Sequence, residues 1–459
     1  MPAFSLNTTP FIITIRRIIF SILILSAFFC HSQGSPVLSR DSIRTITDTI
    51  RITLKDAETI LIKNNYALLA AKYNVDAQEG LIRQAKLFNN PNVYFEPSVY
   101  NKYKTVGSKW FPLETGTAGD VTSTGDFILN VNWTISIARK RLKNWDVAKL
   151  NKDVAKFKFD DLMRGLLYAL RQDFIDLYFG LKSLALYDEE IVSVKKIVSG
   201  FETQYQKGNA SLREITRVRA LLLSLQSDRL SLYTSLQQSS AKEFAVLLND
   251  PRNVYYKPIL NETEFDGKYN LANVALADLV TDALANRPDL KADLAQLASD
   301  NANVKLQKAT GVPDLMLQPG TTRNSNYIQN DPVLGFGLPI PIANRNQGNI
   351  LYAKLTATSD IEQVKSDQVL VQNDVFYSYQ KILELQKLNG SVSPSFSSDF
   401  RALLQGAEDN FAKKNLSLLD FVDMFESYKT SMTQYYSIKN QRYSAFEELN
   451  FNVGKDVFK

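Results

Sequence analysis

The sequence predicts a mainly α-helical chain with a small β part, laid out as two copies of one architecture. Three observations carry this reading. The first is an internal repeat. Thr53 to Pro97 lies without gaps on Ala275 to Pro319, matching Leu54/Leu276, Asp56/Asp278, Asn64/Asn286, Leu68/Leu290, Pro91/Pro313 and Pro97/Pro319. Leu129 to Leu150 then lies on Leu334 to Leu355, with Ile135/Ile340, Ile137/Ile342 and Ala138/Ala343 in register, and Tyr205–Glu214 lies on Phe411–Asp420. A period of roughly 200 residues is far longer than a solenoid unit. The second observation is the length of the uninterrupted helical stretches. The third is strict alternation of apolar and polar residues in a few short segments.

Residues 1–33 read as an export signal. Arg16 and Arg17 form its basic region and Ile18 to Phe29 its apolar run, too short to cross a bilayer as a helix. Cleavage is expected near Ser32–Gln33, with an uncleaved anchor as the alternative. Cys30 and His31, the single cysteine and the single histidine, sit at this boundary. Cys30 is a lipidation candidate, but Ala27-Phe28-Phe29 places an aromatic where lipoprotein signals carry a small residue, so loss with the signal is expected. Cleavage after it leaves neither thiol nor imidazole. That excludes disulfides, Cys/His zinc sites and catalysis built on either group. Removing Arg16 and Arg17 takes the net charge from +5 to +3, too mild to point to nucleic acid.

Repeat 1 (50–250) is expected to begin with a helix from Leu54 to Phe88, stopped by Asn89-Asn90-Pro91. Strands follow at about 92–100 and 126–137. In the second, Phe127, Leu129, Val131, Trp133, Ile135 and Ile137 alternate with Ile128, Asn130, Asn132, Thr134 and Ser136. That fits a half-buried soluble strand or a transmembrane β-strand, which needs about 9–11 tilted residues. From Ala138 to Gln206 no proline occurs; unbroken, that helix would reach about 100 Å, a length suited to coiled coils or helical tubes. Leu212 to Leu248 returns antiparallel after a tip near 207–212. A loop-rich linker, 251–273, leads to repeat 2 (274–459), with strands at about 314–322 and 332–342. Helices from Asn344 to Lys413 and from Ser417 to Leu449 meet at a tip near 413–418. The linker and a break at 389–394 are expected to form a belt around the helices.

Four strands cannot close a barrel, and an open edge in lipid costs several kcal/mol for each unpaired backbone group. Strands that span a membrane must therefore be pooled between chains; three chains would supply twelve. Pooled strands, very long helices and an exported two-copy chain resemble the TolC family of outer-membrane efflux ducts. The paired motifs Tyr205–Glu214 and Phe411–Asp423 and the signals ending at Pro91 and Pro313 carry the resemblance. Gly337-Leu-Pro-Ile-Pro-Ile-Ala-Asn-Arg-Asn-Gln-Gly348 is similar to the strand exit of the CzcC/CusC-type branch, which serves heavy-metal efflux. The resemblance implies a homotrimer with a twelve-stranded outer-membrane barrel continued by a periplasmic α-helical tunnel. It also implies a periplasmic adaptor and an inner-membrane RND-type pump as partners.

It further implies roles for particular residues. Asp420 and Asp423, three apart and on one helical face, would form a cation-attracting carboxylate ring at the periplasmic entrance. An acidic first turn that complements the helix dipole is the simpler alternative. Glu214 is the matching acid in copy one and a gate candidate. The family's tyrosine and arginine partners are here Phe411 and Leu416, so Lys413 or Lys414 would have to substitute. Gly208, Leu212, Leu416 and Leu418 would meet the adaptor, or pack within their own hairpins. Arg139, Lys140, Arg141 and Lys143 would face anionic headgroups or simply solvent, and Trp133, Tyr94 and Tyr100 would belong to aromatic girdles. No phosphate loop, nucleophile elbow or acid/base pocket signature is present, so no enzyme activity and no cofactor are expected. The function expected is a passive exit duct for small solutes. The alternatives are the exit pore of a protein-secretion system and a periplasmic coiled-coil scaffold without a pore.

Overall fold

The computed structural model describes residues 49–100, 110, 127–252, 254–271, 274–324, 328–393, 395–413 and 415–458. The expected signal with Cys30 and the gate candidate Lys414 lie outside these residues. The chain divides into two units. One is Met1–Thr47 with Pro251–Val254, of which only Pro251, Arg252 and Val254 are described; there the Val254 amide donates to the Arg252 carbonyl at 2.9 Å. The other, Asp48–Asp250 with Tyr255–Lys459, holds everything below.

A short strand β1 (Thr49–Thr53) runs into α1 (Leu54–Asn64), capped by Thr53, whose hydroxyl accepts from the Asp56 amide at 3.3 Å. The helix expected to continue to Phe88 breaks at Asn65. Its backbone is extended there (φ −67°, ψ 120°), and its side chain caps α2 (Tyr66–Ala85) by accepting from the Leu68 amide at 3.1 Å. The Asn65 side-chain Nδ2 donates to the Leu247 carbonyl at 3.0 Å, which fixes the break from outside. Copy two breaks in the same manner between α7 (Leu276–Asn286) and α8 (Pro288–Thr310), at Arg287, with Pro288 in the first turn, where its missing N–H costs nothing.

Strands β2 (Asn92–Pro97), β3 (Phe127–Ile135), β5 (Leu315–Asn324) and β6 (Ile328–Gly337) form one antiparallel sheet in the order β2-β3-β5-β6. The hairpins of the two copies are therefore joined through β3 and β5. Directly opposed residues share a face. The pairs Val93/Val131, Phe95/Leu129, Trp133/Leu317, Ile135/Leu315, Leu317/Phe336 and Pro319/Leu334 place one mainly apolar surface across all four strands, with Thr321 opposite Leu129 and Arg323 opposite Phe127 as its polar members. Asn92/Asn132, Tyr94/Asn130, Thr322/Asp331 and Gln318/Gly335 lie on the other face. Among the described residues, the outer strands β2 and β6 each pair on one side only.

The last strand occupies 328–337 where 332–342 was expected. Pro339 and Pro341 have no N–H to offer a ladder. Leu338, Ile340 and Ile342 leave it and stay exposed. Between strand and helix, copy two therefore has more residues than copy one. The gapless match of Ile135 with Ile340 pairs a ladder residue with a corner residue. Likewise β2 ends at Pro97, and Tyr100 makes only an isolated bridge to Trp110.

The long helix α3 (Lys140–Gln206) has 67 residues, about 100 Å of rise. It starts two residues later than expected, because Ala138 and Arg139 are left-handed (φ 57° and 58°). The return helix α4 (Leu212–Leu236) passes through a π turn (Gln237–Ala241) into α5 (Lys242–Leu247). Here Leu236 packs on Gly180 of α3, where a Cβ would overlap it. Copy two has α9 (Gln347–Ser391), α10 (Phe396–Ala412) and α11 (Leu418–Val453). The linker is more ordered than its composition suggested. It contains β4 (Tyr255–Ile259), parallel to β1, and α6 (Glu262–Lys268). Its Tyr269 and Leu271 enter a core with Phe179, Val375, Tyr443, Phe446 and Leu449. A second core, with Val194, Val218, Leu221, Phe421 and Phe425, lies between the hairpins nearer their tips.

Candidate functional site

Both hairpins end in the same local chemistry. In copy one, Gly208 takes φ +75° and its amide donates to the Tyr205 carbonyl at 2.9 Å, while the Asn209 amide reaches back to the Gln204 carbonyl at 2.8 Å. This is a helix stop that favours glycine. Ser211 then caps α4: its hydroxyl accepts from the Glu214 amide at 3.3 Å, and Glu214 accepts from the Ser211 amide at 2.7 Å, a complete capping box. In copy two the Asn415 amide reaches the Asn410 carbonyl at 2.8 Å. Ser417 caps α11, accepting from the Asp420 amide at 3.2 Å and donating to the Asp420 carboxylate at 2.7 Å.

Two of the expected entrance and gate acids are thus capping residues in their own chains. The backbone N–H of Ser211, and then its hydroxyl, hold the Glu214 carboxyl below the usual carboxylate range. Among the described residues Glu214 forms no ion pair with Lys413, which is exposed. Asp420 and Asp423 are both exposed near the start of α11. Leu212 is 62% exposed, whereas Leu416 and Leu418 are half-buried and pack on the core around Phe421 and Phe425. Leu419, 55% exposed, is a tip residue the sequence reading missed. The spacing Phe421, Phe425, Tyr428, Met432 (all buried) defines the seam of α11, and Leu419 falls off it.

Sequence reasoning also missed the ionic groups that tie the helices together. Arg171 of α3 contacts Glu58 at 2.6 Å, Glu447 at 2.8 Å and Asp456 at 2.8 Å, and Tyr269 donates to the same Glu447. Burial raises the Glu262 carboxyl, but the ammonium groups of Lys182 and Lys439 outweigh it and hold the group at about 2. Nothing in the spacing could have found these contacts, which join residues from distant parts of the chain. The basic corner after β3 has local partners: Lys140 pairs with Asp314 at 2.8 Å, and Arg141 donates to the Lys86 carbonyl at 3.0 Å. Lys143 donates to the Ala138 carbonyl at 3.0 Å. The Trp133 indole donates to the Asn89 carbonyl at 3.1 Å. Among the described residues, no cluster of three or more His, Cys, Asp or Glu could hold a metal ion, and no helix is long and apolar enough to cross a membrane.

A family model described as outer membrane efflux protein matches residues 59–243 and again 279–454, which are the two copies. The chain belongs to that family. This efflux protein is 23% identical over 426 residues to the cobalt-zinc-cadmium resistance protein CzcC of Cupriavidus metallidurans, covering 88% of this chain and 90% of that one. Its fold is shared by the crystal structure of CusC (TM-score 0.68, 16% identity, 88% and 92% of the two chains). It is shared also by the Campylobacter jejuni outer-membrane channel CmeC (0.65, 14%, 88% and 87%) and by the open state of Neisseria gonorrhoeae MtrE (0.62, 17%, 88% and 89%). Family membership places the efflux protein in the outer membrane with its helical part in the periplasm.

Proposed function

We propose that this protein is the passive outer-membrane exit duct of a three-part efflux pump, and that metal cations are among the small solutes it passes. The observation that carries the reading is the sheet: one mainly apolar face, one mainly polar face and, among the described residues, an unpaired edge at each end. In lipid those edges must be paired. Three copies joining β6 of one to β2 of the next would give twelve strands, with the apolar face toward lipid and the polar face toward a water-filled bore. The helical hairpins continue that bore into the periplasm. Their tips, with the exposed Gly208, Leu212 and Leu419, would meet a periplasmic adaptor that couples the duct to an inner-membrane RND-type pump. Asp420 and Asp423 from three chains would ring the entrance. Like charges gathered in that way select cations. The likeness to a cobalt-zinc-cadmium resistance protein supports metal cations as cargo.

The test has two parts. A strain lacking the protein should become sensitive to cobalt, zinc or cadmium and recover with the wild-type chain; loss of a secreted protein instead would favour protein secretion. The purified oligomer in a planar bilayer should conduct cations over anions. Asp420→Asn with Asp423→Asn should lower that preference, and an unchanged ratio would remove both residues from the entrance.

A further inference from the structure

We propose that the corner where β3 turns into α3 is a binding site for one anionic phospholipid of the periplasmic leaflet. It rests on the reading that the sheet lies in the bilayer. A groove of about 800 Å³ opens there, between the end of α2, the end of β3 and the start of α3. That volume is within the roughly 300–1,000 Å³ range of small-molecule sites, enough for a headgroup with the first part of its acyl chains. One half of the groove is apolar, lined by Phe88, Trp133 and Ile135. Trp133 and Ile135 also belong to the apolar face of the sheet, so the groove continues the surface already in contact with acyl chains.

The other half is cationic, lined by Arg139, Lys140 and Arg141. Lys86 lies between the lining residues Ala85 and Leu87, and Lys143 follows the lining residue Leu142. Asp314 pairs with Lys140, at 2.8 Å. Arg141 lies over the Phe88 ring, 3.7 Å from its centroid, which holds a guanidinium at the boundary between the two halves. Arg139 is exposed, and among the described residues its side chain has no partner. The helix behind it starts without a side-chain cap, so its first N–H groups add to the positive potential.

The corresponding corner of copy two satisfies itself. Asn346, left-handed like Arg139, donates its side-chain amide to the Gln307 carbonyl at 2.8 Å. Gln347 accepts from the Arg345 amide at 2.8 Å, and the Arg345 guanidinium donates to the Pro341 carbonyl at 3.1 Å. A phosphodiester with two acyl chains matches what copy one leaves open: charge at Arg139, next to an Arg141 whose guanidinium also donates to the Lys86 carbonyl at 3.0 Å, and length along Trp133 and Ile135.

The experiment uses the full chain, purified as its oligomer in a neutral detergent, with native mass spectrometry after adding phosphatidylglycerol, phosphatidylcholine or inorganic phosphate at low ionic strength. Phosphatidylglycerol should bind about tenfold more tightly than phosphatidylcholine, and each basic side chain removed should cost about fivefold. Arg139→Gln removes no contact within the protein, so it should weaken phosphatidylglycerol about fivefold while oligomer mass and conductance stay unchanged. Arg139→Gln with Arg141→Gln should weaken it about 25-fold; if that double variant does not assemble, the single one decides. Equal binding of the two lipids, no change in Arg139→Gln, or phosphate binding as tightly as the lipid would each overturn the site. A purified chain that is monomeric and non-conducting before any lipid is added would overturn the duct reading, and this inference with it.

Discussion

Glu190 of α3 offers a test of how the helical wall is held. It is 1% exposed, and among the described residues neither carboxylate oxygen has a hydrogen-bond partner. Burial pushes its carboxyl from 4.5 up to about 8; Lys429 opposes the shift, while Glu189 and Asp228 add to it. Lys429 is itself engaged by Asp228 at 3.2 Å. The folded-state value lies above the unfolded one. The stability contributed by the neutral carboxyl is therefore fully present below about pH 4.5 and lost as pH rises through about 8. At pH 7 the unfolded chain has released this proton and the folded chain keeps it, which destabilises the fold by up to about 3 kcal/mol. Glu190→Gln keeps the shape and removes the ionisation. The variant should match the wild type near pH 4.5 and be more stable at pH 7. Amide hydrogen exchange in α3 around Glu190, corrected for the intrinsic pH dependence, reads this directly. Protection in the variant should exceed the wild type by up to about a hundredfold at pH 7. Parallel pH profiles for the two proteins between pH 5 and 8 would refute the reasoning.

Three further outcomes are expected. Arg171→Ala should destabilise the protein by about 3–5 kcal/mol, because it leaves Glu447 buried and uncompensated; the thermal midpoint followed by circular dichroism checks it, and Arg171→Lys should recover only part, since a compact ammonium lacks the fork by which Nε and Nη1 reach carboxylates on different sides. Leu334→Arg on the apolar face should cost about 2–4 kcal/mol of folding in lipid, whereas Gln318→Arg on the opposite face should be tolerated; equal losses in vesicle refolding would show that the sheet register is not the one described. Ser211→Ala should cost about 1 kcal/mol and fray the start of α4, seen as faster exchange of the Leu212–Ile215 amides; unchanged exchange would mean that the capping box contributes nothing.

The elements that were legible in the sequence are those whose cause is local. Period-two alternation from Phe127 to Ile135 and the proline-free run before Gln206 fix backbone type residue by residue. The tips could be read for the same reason: Gly208, Ser211 and Ser417 act within a few positions of themselves. The repeat told that what happens once happens twice. Pro339 and Pro341 carried a signal that a strand through 342 overrode, since neither can donate to a ladder. The break at Asn65 was harder to see, because part of its cause is the Leu247 carbonyl, distant in sequence.

What the chain alone determined is a set of amphipathic pieces, helical and extended, laid out twice. Tertiary structure decided how those pieces meet. Pairing of β3 with β5 merges two hairpins into one sheet and sets which residues share a face. Packing of the hairpins spends Leu416 and Leu418 on the core and leaves Leu212 and Leu419 outside. Helix neighbours turn Arg171 and Glu262 into ionic hubs and leave Glu190 without a partner. Periodicity states that a side chain is on a face, but the energy of a charge depends on what lies across from it. That is a long-range fact, fixed only when distant segments come together.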